Sequence, residues 1–131
     1  MGKNTFETIC GFDMDWPYEK PIFVLSNSLE QIPGKFQHKA QLVKGTLTEI
    51  LTKIHELGHQ RLYIDGETTM QELLKKDRID KMIITLIPVL LAGGIPLFSD
   101  LPKPLDFECL GSKIYLDSVV QDHFVRKRPK I

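Results

Sequence analysis

The sequence predicts an α/β protein in which a mostly parallel mixed sheet is flanked by helices and ends in a C-terminal antiparallel hairpin. Two observations support this class. Two segments with the pattern of capped helices alternate with short apolar runs typical of strands, and the last third of the chain has two β-prone runs separated by a turn. The 131 residues are expected to form one domain, because a chain of this length can bury a core without disulfides.

The central stretch, residues 61–76, reads as strand, tight turn and helix. Residues 62–65 form a β-prone run, Gly66 interrupts it, and Thr69 with Glu72 has the spacing of a capping box. A helix start beside the carboxyl end of a strand offers free N–H groups to an anion, and Gly66 allows a close backbone approach. An ordinary strand-to-helix connection has the same pattern, so this stretch alone indicates no specific function.

The first part of the chain predicts shorter elements. A short helix is expected at its beginning, with Asn4 or Thr5 as the cap. An apolar run predicts a buried strand at Ile22–Leu25, and residues 42–43 are interpreted as a short edge strand.

A clearer helix is predicted from Thr46 to Gly58. Thr46 and Glu49 form a capping box, apolar residues then recur on one helical face, and Gly58 stands where a left-handed C-terminal residue is favoured.

The second half predicts further strands. Residues 81–88 are apolar on both faces, which is typical of an interior strand covered by helices, and the spacing from 62–65 predicts a right-handed parallel crossover. Residues 92–96 contain two glycines and a proline and should be irregular. Phe107–Tyr115 and residues 118–126 are expected to form an antiparallel hairpin at a sheet edge.

Composition argues against several partners. Lys plus Arg and Asp plus Glu both number 17, so no net charge favours nucleic acid or an acidic membrane. The basic tail, residues 126–130, is interpreted as a solvated terminus rather than a nucleic-acid arm. Cys10 and Cys109 are far apart and no signal segment is evident, which favours a reducing, cytoplasmic location.

The sequence disfavours three kinds of catalytic or binding motif. His55 and His59 have the spacing of a metal pair, but Gly58 should end the helix between them, so no metal site is expected. The serines lack a nucleophile elbow. Residues 66–69 match neither a phosphate-binding loop with its lysine nor the three-glycine dinucleotide fingerprint.

Five stretches of the sequence follow one another in a characteristic order. They are Met-Gly-Lys-Asn-Thr-Phe-Glu (1–7), Trp-Pro-Tyr (16–18), Phe-Val-Leu-Ser (23–26), Leu-Tyr-Ile-Asp-Gly (62–66) and Ile-Pro-Val-Leu-Leu-Ala-Gly-Gly-Ile-Pro-Leu-Phe (87–98). Together they resemble the dihydrofolate reductase superfamily, and most closely the reductase domain of bifunctional riboflavin-biosynthesis deaminase-reductases and its stand-alone members. The resemblance implies a dihydrofolate-reductase-like domain over residues 1–131.

The resemblance also implies an NADPH site made of three segments. Its residues are Gly2, Lys3, Asn4 and Thr5, then Ser26 and Asn27, then Gly66, Glu67, Thr68 and Thr69. Lys3 replaces the usual arginine and keeps the charge without the bidentate fork. Asn27 stands where relatives often carry a basic residue beside the 2′-phosphate, and Glu67 where they often carry a second glycine. The resemblance also implies that Thr85, Leu91 and Gly93 border the substrate. It does not identify a catalytic residue.

Relatives carry a strand, a loop over the nicotinamide and a helix ahead of the segment that begins here at Met1. The domain is therefore expected to be N-terminally short. Three interpretations stay open: a fragment, a gene model begun at an internal methionine, or a form that completes its sheet with another subunit. Pairing of two copies through sheet edges is expected on the same basis.

The resulting hypothesis is an NADPH-dependent oxidoreductase that transfers hydride to a pterin, pyrimidine or related heterocycle. It would resemble dihydrofolate reductase or 5-amino-6-(5-phosphoribosylamino)uracil reductase. The alternative is a non-catalytic nucleotide-binding or structural remnant, which the short N-terminus and the residues at Lys3, Asn27 and Glu67 motivate. Nucleic-acid binding through the tail is disfavoured by the balanced charge.

Overall fold

The computed structural model describes residues 1–129, which fall into two compact units, Met1–Met70 and Gln71–Ile131. Helices and strands are both present, so the α/β class is confirmed. The described strands form one two-stranded parallel sheet and one three-stranded antiparallel sheet, so the expected single, mostly parallel sheet is wrong in its details. The assignment of residues 1–131 to one domain stays a prediction.

The first unit is built on a short parallel sheet. Its elements are α1 (Lys3–Cys10), β1 (Ile22–Leu25), a 3₁₀ turn (Gly34–Phe36), β2 (Ala40–Val43) and α2 (Leu47–Glu56). The predicted strand at Ile22–Leu25 is confirmed, and it pairs in parallel with β2. Met1 and Gly2 also pair with β1, since the Leu25 N–H donates to the Met1 carbonyl at 2.8 Å. Two residues are too few to show a strand pattern in the sequence, so this third extended segment was not predicted.

The first helix starts directly after this paired segment. Gly2 is extended (ψ 172°) and precedes α1, so Asn4 and Thr5 lie inside the helix and the prediction that either caps it is wrong. The pairing of Gly2 with Leu25 sets the helix start, and a side-chain cap has no part in it. Phe6 of α1 is fully buried and packs with Val24 of β1 in the core of this unit.

The second helix is capped as predicted. The Glu49 N–H donates to the Thr46 hydroxyl at 3.3 Å, and the Thr46 N–H donates to the Glu49 carboxylate at 3.2 Å. At the other end Gly58 has φ +95°, a left-handed conformation that favours glycine, and its N–H donates to the His55 carbonyl. The helix packs on β2 through the buried cluster Val43, Ile50 and Ile54.

Residues 62–65 are not a strand. Within the described part of the chain they join neither sheet, and Tyr63 is 89% exposed. The prediction of a central strand here, with a parallel crossover to residues 81–88, is therefore wrong. β-prone residues form a strand only where a partner pairs with their backbone, and composition does not supply that partner.

The third helix, α3 (Glu67–Lys75), begins earlier than expected. The Met70 N–H donates to the Gly66 carbonyl at 3.0 Å, so the helix starts immediately after Gly66, whose φ is +104°. Thr69 lies inside the first turn, and the prediction that Thr69 and Glu72 cap the helix is wrong. The positive φ of Gly66 turns the chain directly into the helix, and this places the helix start two residues ahead of Thr69.

The second unit contains an antiparallel sheet. Its strands are β3 (Lys81–Leu86), β4 (Phe107–Tyr115) and β5 (Val119–Arg126), in the order β3-β5-β4. The predicted hairpin of β4 and β5 is confirmed, and Leu116 and Asp117 both have positive φ, as a type I′ turn requires. β4 is an edge strand and β5 lies between it and β3, so the hairpin lies at a sheet edge as predicted. β3 is an edge strand with exposed residues, so its prediction as a covered interior strand is wrong.

The end of β5 is tied to the turn after α3. The Arg126 guanidinium donates to both carboxylate oxygens of Asp77, at 2.8 and 3.1 Å, and Arg128 donates to Asp77 and Asp80. The hydrogen bond from Arg126 is the main cause that lowers the pKa of Asp77 below its ordinary value, and the charge of Arg128 acts in the same direction. Arg126, whose side chain is 7% exposed, therefore anchors the chain, and the prediction of a solvated basic terminus is wrong for it. Arg128 pairs with the same turn but is exposed. Lys130 lies outside the described residues.

Candidate functional site

The first unit gathers three chain segments at one edge of its sheet. Met1 and Gly2, β1 and β2 run parallel, so the residues that follow each of them lie at the same edge. These residues are the start of α1, the turn at 26–28 and the loop at 44–46. In α/β proteins the carboxyl edge of a parallel sheet is the usual place for a ligand. Two of the three predicted cofactor segments are therefore brought to this edge.

The third predicted segment meets the first at two glycines. A Cβ added to Gly66 would lie 2.6 Å from the Thr5 hydroxyl, and one added to Gly2 would lie 2.9 Å from the Thr69 hydroxyl. Real Cβ atoms do not approach so closely, so both positions require glycine while these threonines stay in place. The start of α3 therefore lies against the start of α1. Each helix start has backbone N–H groups without intrahelical partners, which suit a phosphate.

Lys3 connects the start of α1 to the turn after β1. Its ammonium lies 3.5 Å from the Ser28 hydroxyl and 4.0 Å from the Glu7 carboxylate. The Ser28 hydroxyl is in turn 3.3 Å from the Ser26 hydroxyl. The Ser26 oxygen also accepts from the N–H groups of Ser28 and Leu29, so the turn is held by its own side chain. A cation and two hydroxyls thus share one place.

Asn27 is used for structure. Its amide oxygen accepts from the Gly45 N–H at 2.8 Å and its amide nitrogen donates to the Gly45 carbonyl at 3.2 Å. This pair of hydrogen bonds ties the ends of β1 and β2 together. Sequence reasoning placed Asn27 beside a phosphate and missed Gly45, although parallel neighbouring strands imply that the loops after them are adjacent.

The other predicted cofactor residues lie at the two helix starts. Asn4 is exposed, and its carbonyl accepts from the Thr8 hydroxyl. Glu67 is the first residue of α3 and is half-buried, while Thr68 is exposed. A carboxylate in the first turn is favourable to the helix dipole, so the helix itself explains Glu67.

A tyrosine and an aspartate not singled out from the sequence form a pair beside these helix starts. The Tyr18 hydroxyl donates to the Asp65 carboxylate at 3.3 Å, and Asp65 directly precedes Gly66. Burial and the neighbouring Asp65 carboxylate both raise the pKa of Tyr18 above its ordinary value. The Tyr18 ring also makes an edge contact with Trp16. The Trp16-Pro17-Tyr18 stretch thereby holds the loop before β1 to residue 65.

The predicted substrate residues all lie in the second unit. Thr85 is exposed on β3, and its hydroxyl accepts from the Gln121 amide at 3.3 Å. The Gln121 amide oxygen is 3.3 Å from Nε2 of His123, so a row of polar groups crosses from β3 to β5. Leu91 and Gly93 lie in the irregular segment after β3, and both are exposed.

Two further properties concern residues 1–129. In this range, no group of three or more His, Cys, Asp or Glu side chains is arranged to hold a metal ion. None of the helices in the same range has both the length and the apolar character needed to cross a membrane.

Comparisons with known proteins give relatives that are longer than this chain. No model of a known protein family matches the chain. An uncharacterised protein of Bacillus subtilis strain 168, YwjB, is 30% identical over 129 residues, which cover 96% of this chain and 71% of YwjB. A solved structure from Shewanella sp. PV-4, assigned by name to riboflavin biosynthesis, is 46% identical and superposes with a TM-score of 0.93. The match covers 97% of this chain and 72% of that protein.

Two more distant structures share the fold. A pyrimidine reductase-like protein from Corynebacterium diphtheriae is 9% identical with a TM-score of 0.61, over 83% of this chain and 50% of that one. RibD from Acinetobacter baumannii is 18% identical with a TM-score of 0.51, over 82% and 37% respectively. The predicted dihydrofolate-reductase-like fold is therefore confirmed. The chain belongs to the dihydrofolate reductase superfamily, in the branch that includes the reductase domain of riboflavin-biosynthesis proteins.

Proposed function

We propose that the chain is an NADPH-dependent reductase that transfers hydride to a pterin, pyrimidine or related heterocycle. The first unit would hold the cofactor phosphates at the starts of α1 and α3, and Thr85 would contact the substrate. When bound, NADPH supplies the hydride, and the protein's own residues orient the two rings and exclude water. The family supports a reductase, and the residues described above support the choice of cofactor.

The observation that carries the proposal is the contact between the two helix starts. Gly2 and Gly66 each lie where a side chain would strike a threonine of the other segment. This close packing brings unpaired N–H groups from both helices to the same place, and their positive dipole ends favour a dianionic group such as a pyrophosphate. An ordinary connection between a strand and a helix presents only one helix N-terminus, whereas two meet here.

The test is oxidation of NADPH by the purified chain in the presence of candidate substrates, a panel of dihydropterins and ribosylaminopyrimidines. The loss of reduced-nicotinamide absorbance measures the oxidation. Turnover with a member of this panel is the expected result. Tight NADPH binding without turnover would favour the non-catalytic alternative, and no binding of either nicotinamide cofactor would contradict the proposal. The cytoplasmic location stays a prediction.

Lys3 is expected to select NADPH over NADH. Its ammonium reaches the 26–28 turn, which the family places beside the 2′-phosphate, and it would supply the cation that Asn27 lacks. A charge-assisted hydrogen bond contributes about 1.5–3 kcal/mol, so Lys3→Ala should weaken NADPH binding by about 10- to 100-fold and NADH binding much less. Calorimetric titration of each cofactor measures both affinities.

Two variants control this prediction. Lys3→Arg retains the charge and should retain the preference. Lys35→Ala removes an exposed lysine that lies over the Phe36 ring, away from the turn, and should leave both affinities unchanged. If Lys3→Ala weakens NADH and NADPH equally, Lys3 contacts a phosphate that both cofactors share, and the selection argument is wrong.

A further inference from the structure

One face of the sheet in the second unit bears a row of polar side chains. Thr85 of β3 is directly opposite Gln121 of β5, and Gln121 is opposite Lys113 of β4, so these three side chains share a face. His123 lies two residues after Gln121 on the same face of β5. Thr85 is exposed, whereas Gln121 and His123 are half-buried. The row therefore joins two sheltered side chains to one exposed hydroxyl.

The hydrogen bonds along this row have one direction. Gln121 Nε2 donates to the Thr85 hydroxyl oxygen at 3.3 Å, and Gln121 Oε1 lies 3.3 Å from Nε2 of His123. An amide oxygen can only accept, so His123 must carry a proton on Nε2 and donate it to Gln121. The Thr85 oxygen already accepts one hydrogen bond, and its own proton is left for another acceptor.

We propose that Gln121 and His123 are positioning residues that make Thr85 a hydrogen-bond donor to the substrate. This inference rests on the proposed function, which places Thr85 beside the substrate. It narrows the substrate class, because the ring should present a carbonyl oxygen or an unprotonated ring nitrogen to Thr85. A ring that presents an amino group there would bring two donors together and bind less well.

Other roles for the row fit less well. A metal site would need further ligands beside His123, and among residues 1–129 no group of three or more His, Cys, Asp or Glu side chains is arranged to hold a metal ion. A purely structural cross-strand pair would also join Thr85 to Gln121, but either direction of the hydrogen bond serves such a pair equally well. The direction of the hydrogen bond therefore separates the two roles.

The variant Gln121→Glu reverses this direction with almost no change in shape. A carboxylate only accepts, so the Thr85 hydroxyl would donate to it and would offer its lone pairs to the ring. The new carboxylate would lie opposite Lys113 and beside His123, which are favourable neighbours, so the fold should be retained. Thr85→Val removes the hydroxyl, and Thr85→Ser retains it.

The test is the binding of two matched pteridines to the purified chain, measured by the fluorescence of the ligand. Lumazine carries ring carbonyls where 2,4-diaminopteridine carries amino groups. The wild-type chain should bind lumazine about tenfold more tightly, the typical effect of one hydrogen bond, and Thr85→Ser should keep this preference. Thr85→Val should abolish the preference, and Gln121→Glu should reverse it.

Two controls separate the hydrogen bond from the added charge. Gln41→Glu places the same charge on an exposed strand residue of the first unit and should leave the preference unchanged. In the Thr85→Val background, Gln121→Glu should have no further effect on the preference, because its effect passes through the Thr85 hydroxyl. An effect of Gln121→Glu that persists in that background would contradict the proposal.

The nitrogen chemical shifts of His123 give a second readout that needs no ligand. At about pH 9, where imidazole side chains are neutral, the proton should reside on Nε2. A proton on Nδ1 would overturn the proposal, and so would equal binding of the two pteridines or binding of neither. If NADPH is not oxidised but the lumazine preference depends on Gln121 as described, the proposed reaction is wrong and the role of Gln121 stands.

Discussion

Replacing Gly66 with alanine should destabilise the first unit by about 2–4 kcal/mol and weaken NADPH binding by about tenfold or more. Two costs add. Gly66 has φ +104°, where an L-residue is strained, and the new Cβ would lie 2.6 Å from the Thr5 hydroxyl. Thr5 is β-branched and has few other rotamers within a helix, so the start of α1 must move away from the start of α3. Urea unfolding measures the first effect and calorimetric titration the second.

Two further variants separate the two costs. Gly58 also has a positive φ, +95°, but nothing lies within 4 Å of an added Cβ. Gly58→Ala should therefore cost only the backbone strain, about 1 kcal/mol, and leave NADPH binding unchanged. Adding Thr5→Ala to Gly66→Ala removes the Thr5 hydroxyl oxygen that would clash with the new Cβ. The double variant should therefore recover part of the lost stability. Equal losses for Gly58→Ala and Gly66→Ala would show that the helix starts do not touch.

Replacing Asp77 with asparagine should lower the melting temperature by several degrees at neutral pH and remove an acid-sensitive part of the stability. Asp77 accepts two hydrogen bonds from Arg126, whose side chain is 7% exposed, so the variant leaves that guanidinium with a weaker partner. Asparagine also tolerates the φ of +52° at this position, so the change tests the charge and not the backbone.

The pH dependence follows from the direction of the pKa shift. Hydrogen bonding from Arg126 lowers the pKa of folded Asp77 below its ordinary value of 3.8, so in that range the unfolded chain binds more protons than the folded one. The stabilisation is fully present above pH 3.8 and is lost as the pH falls below it, through the folded-state pKa. Urea unfolding at a series of pH values should show this decline in the wild type and a weaker decline in Asp77→Asn.

Asp80→Asn is the control for this series. Asp80 pairs only with Arg128 among the described residues, and its side chain is 82% exposed, so its loss should change little. If Asp77→Asn and the wild type decline in parallel between neutral and acidic pH, another carboxylate is responsible for the acid sensitivity.

The local elements that the sequence predicted well are those with a local physical cause. The capping box of Thr46 and Glu49, the left-handed Gly58 and the β4–β5 hairpin each depend on residues close together in the chain. The incorrect predictions concern elements whose pairing partners are far away in the sequence. Residues 62–65 have strand composition, but pairing depends on which backbone lies beside them.

The candidate site shows the same division. The resemblance nominated Gly66 and Gly2, and the structure gives a steric reason for both. Asn27 was nominated beside a phosphate, yet its amide is bonded to Gly45, eighteen residues away. Contacts of this kind depend on the register of β1 with β2, which short local patterns do not determine.

The most direct test of the account is a calorimetric titration of the purified chain with NADPH and, for comparison, with NADH. We expect one NADPH to bind per chain, with a clear preference over NADH that Lys3→Ala removes and with weak binding to Gly66→Ala. Binding of neither cofactor to a chain that shows the wild-type fold by circular dichroism would contradict the claim that the starts of α1 and α3 form a dinucleotide site.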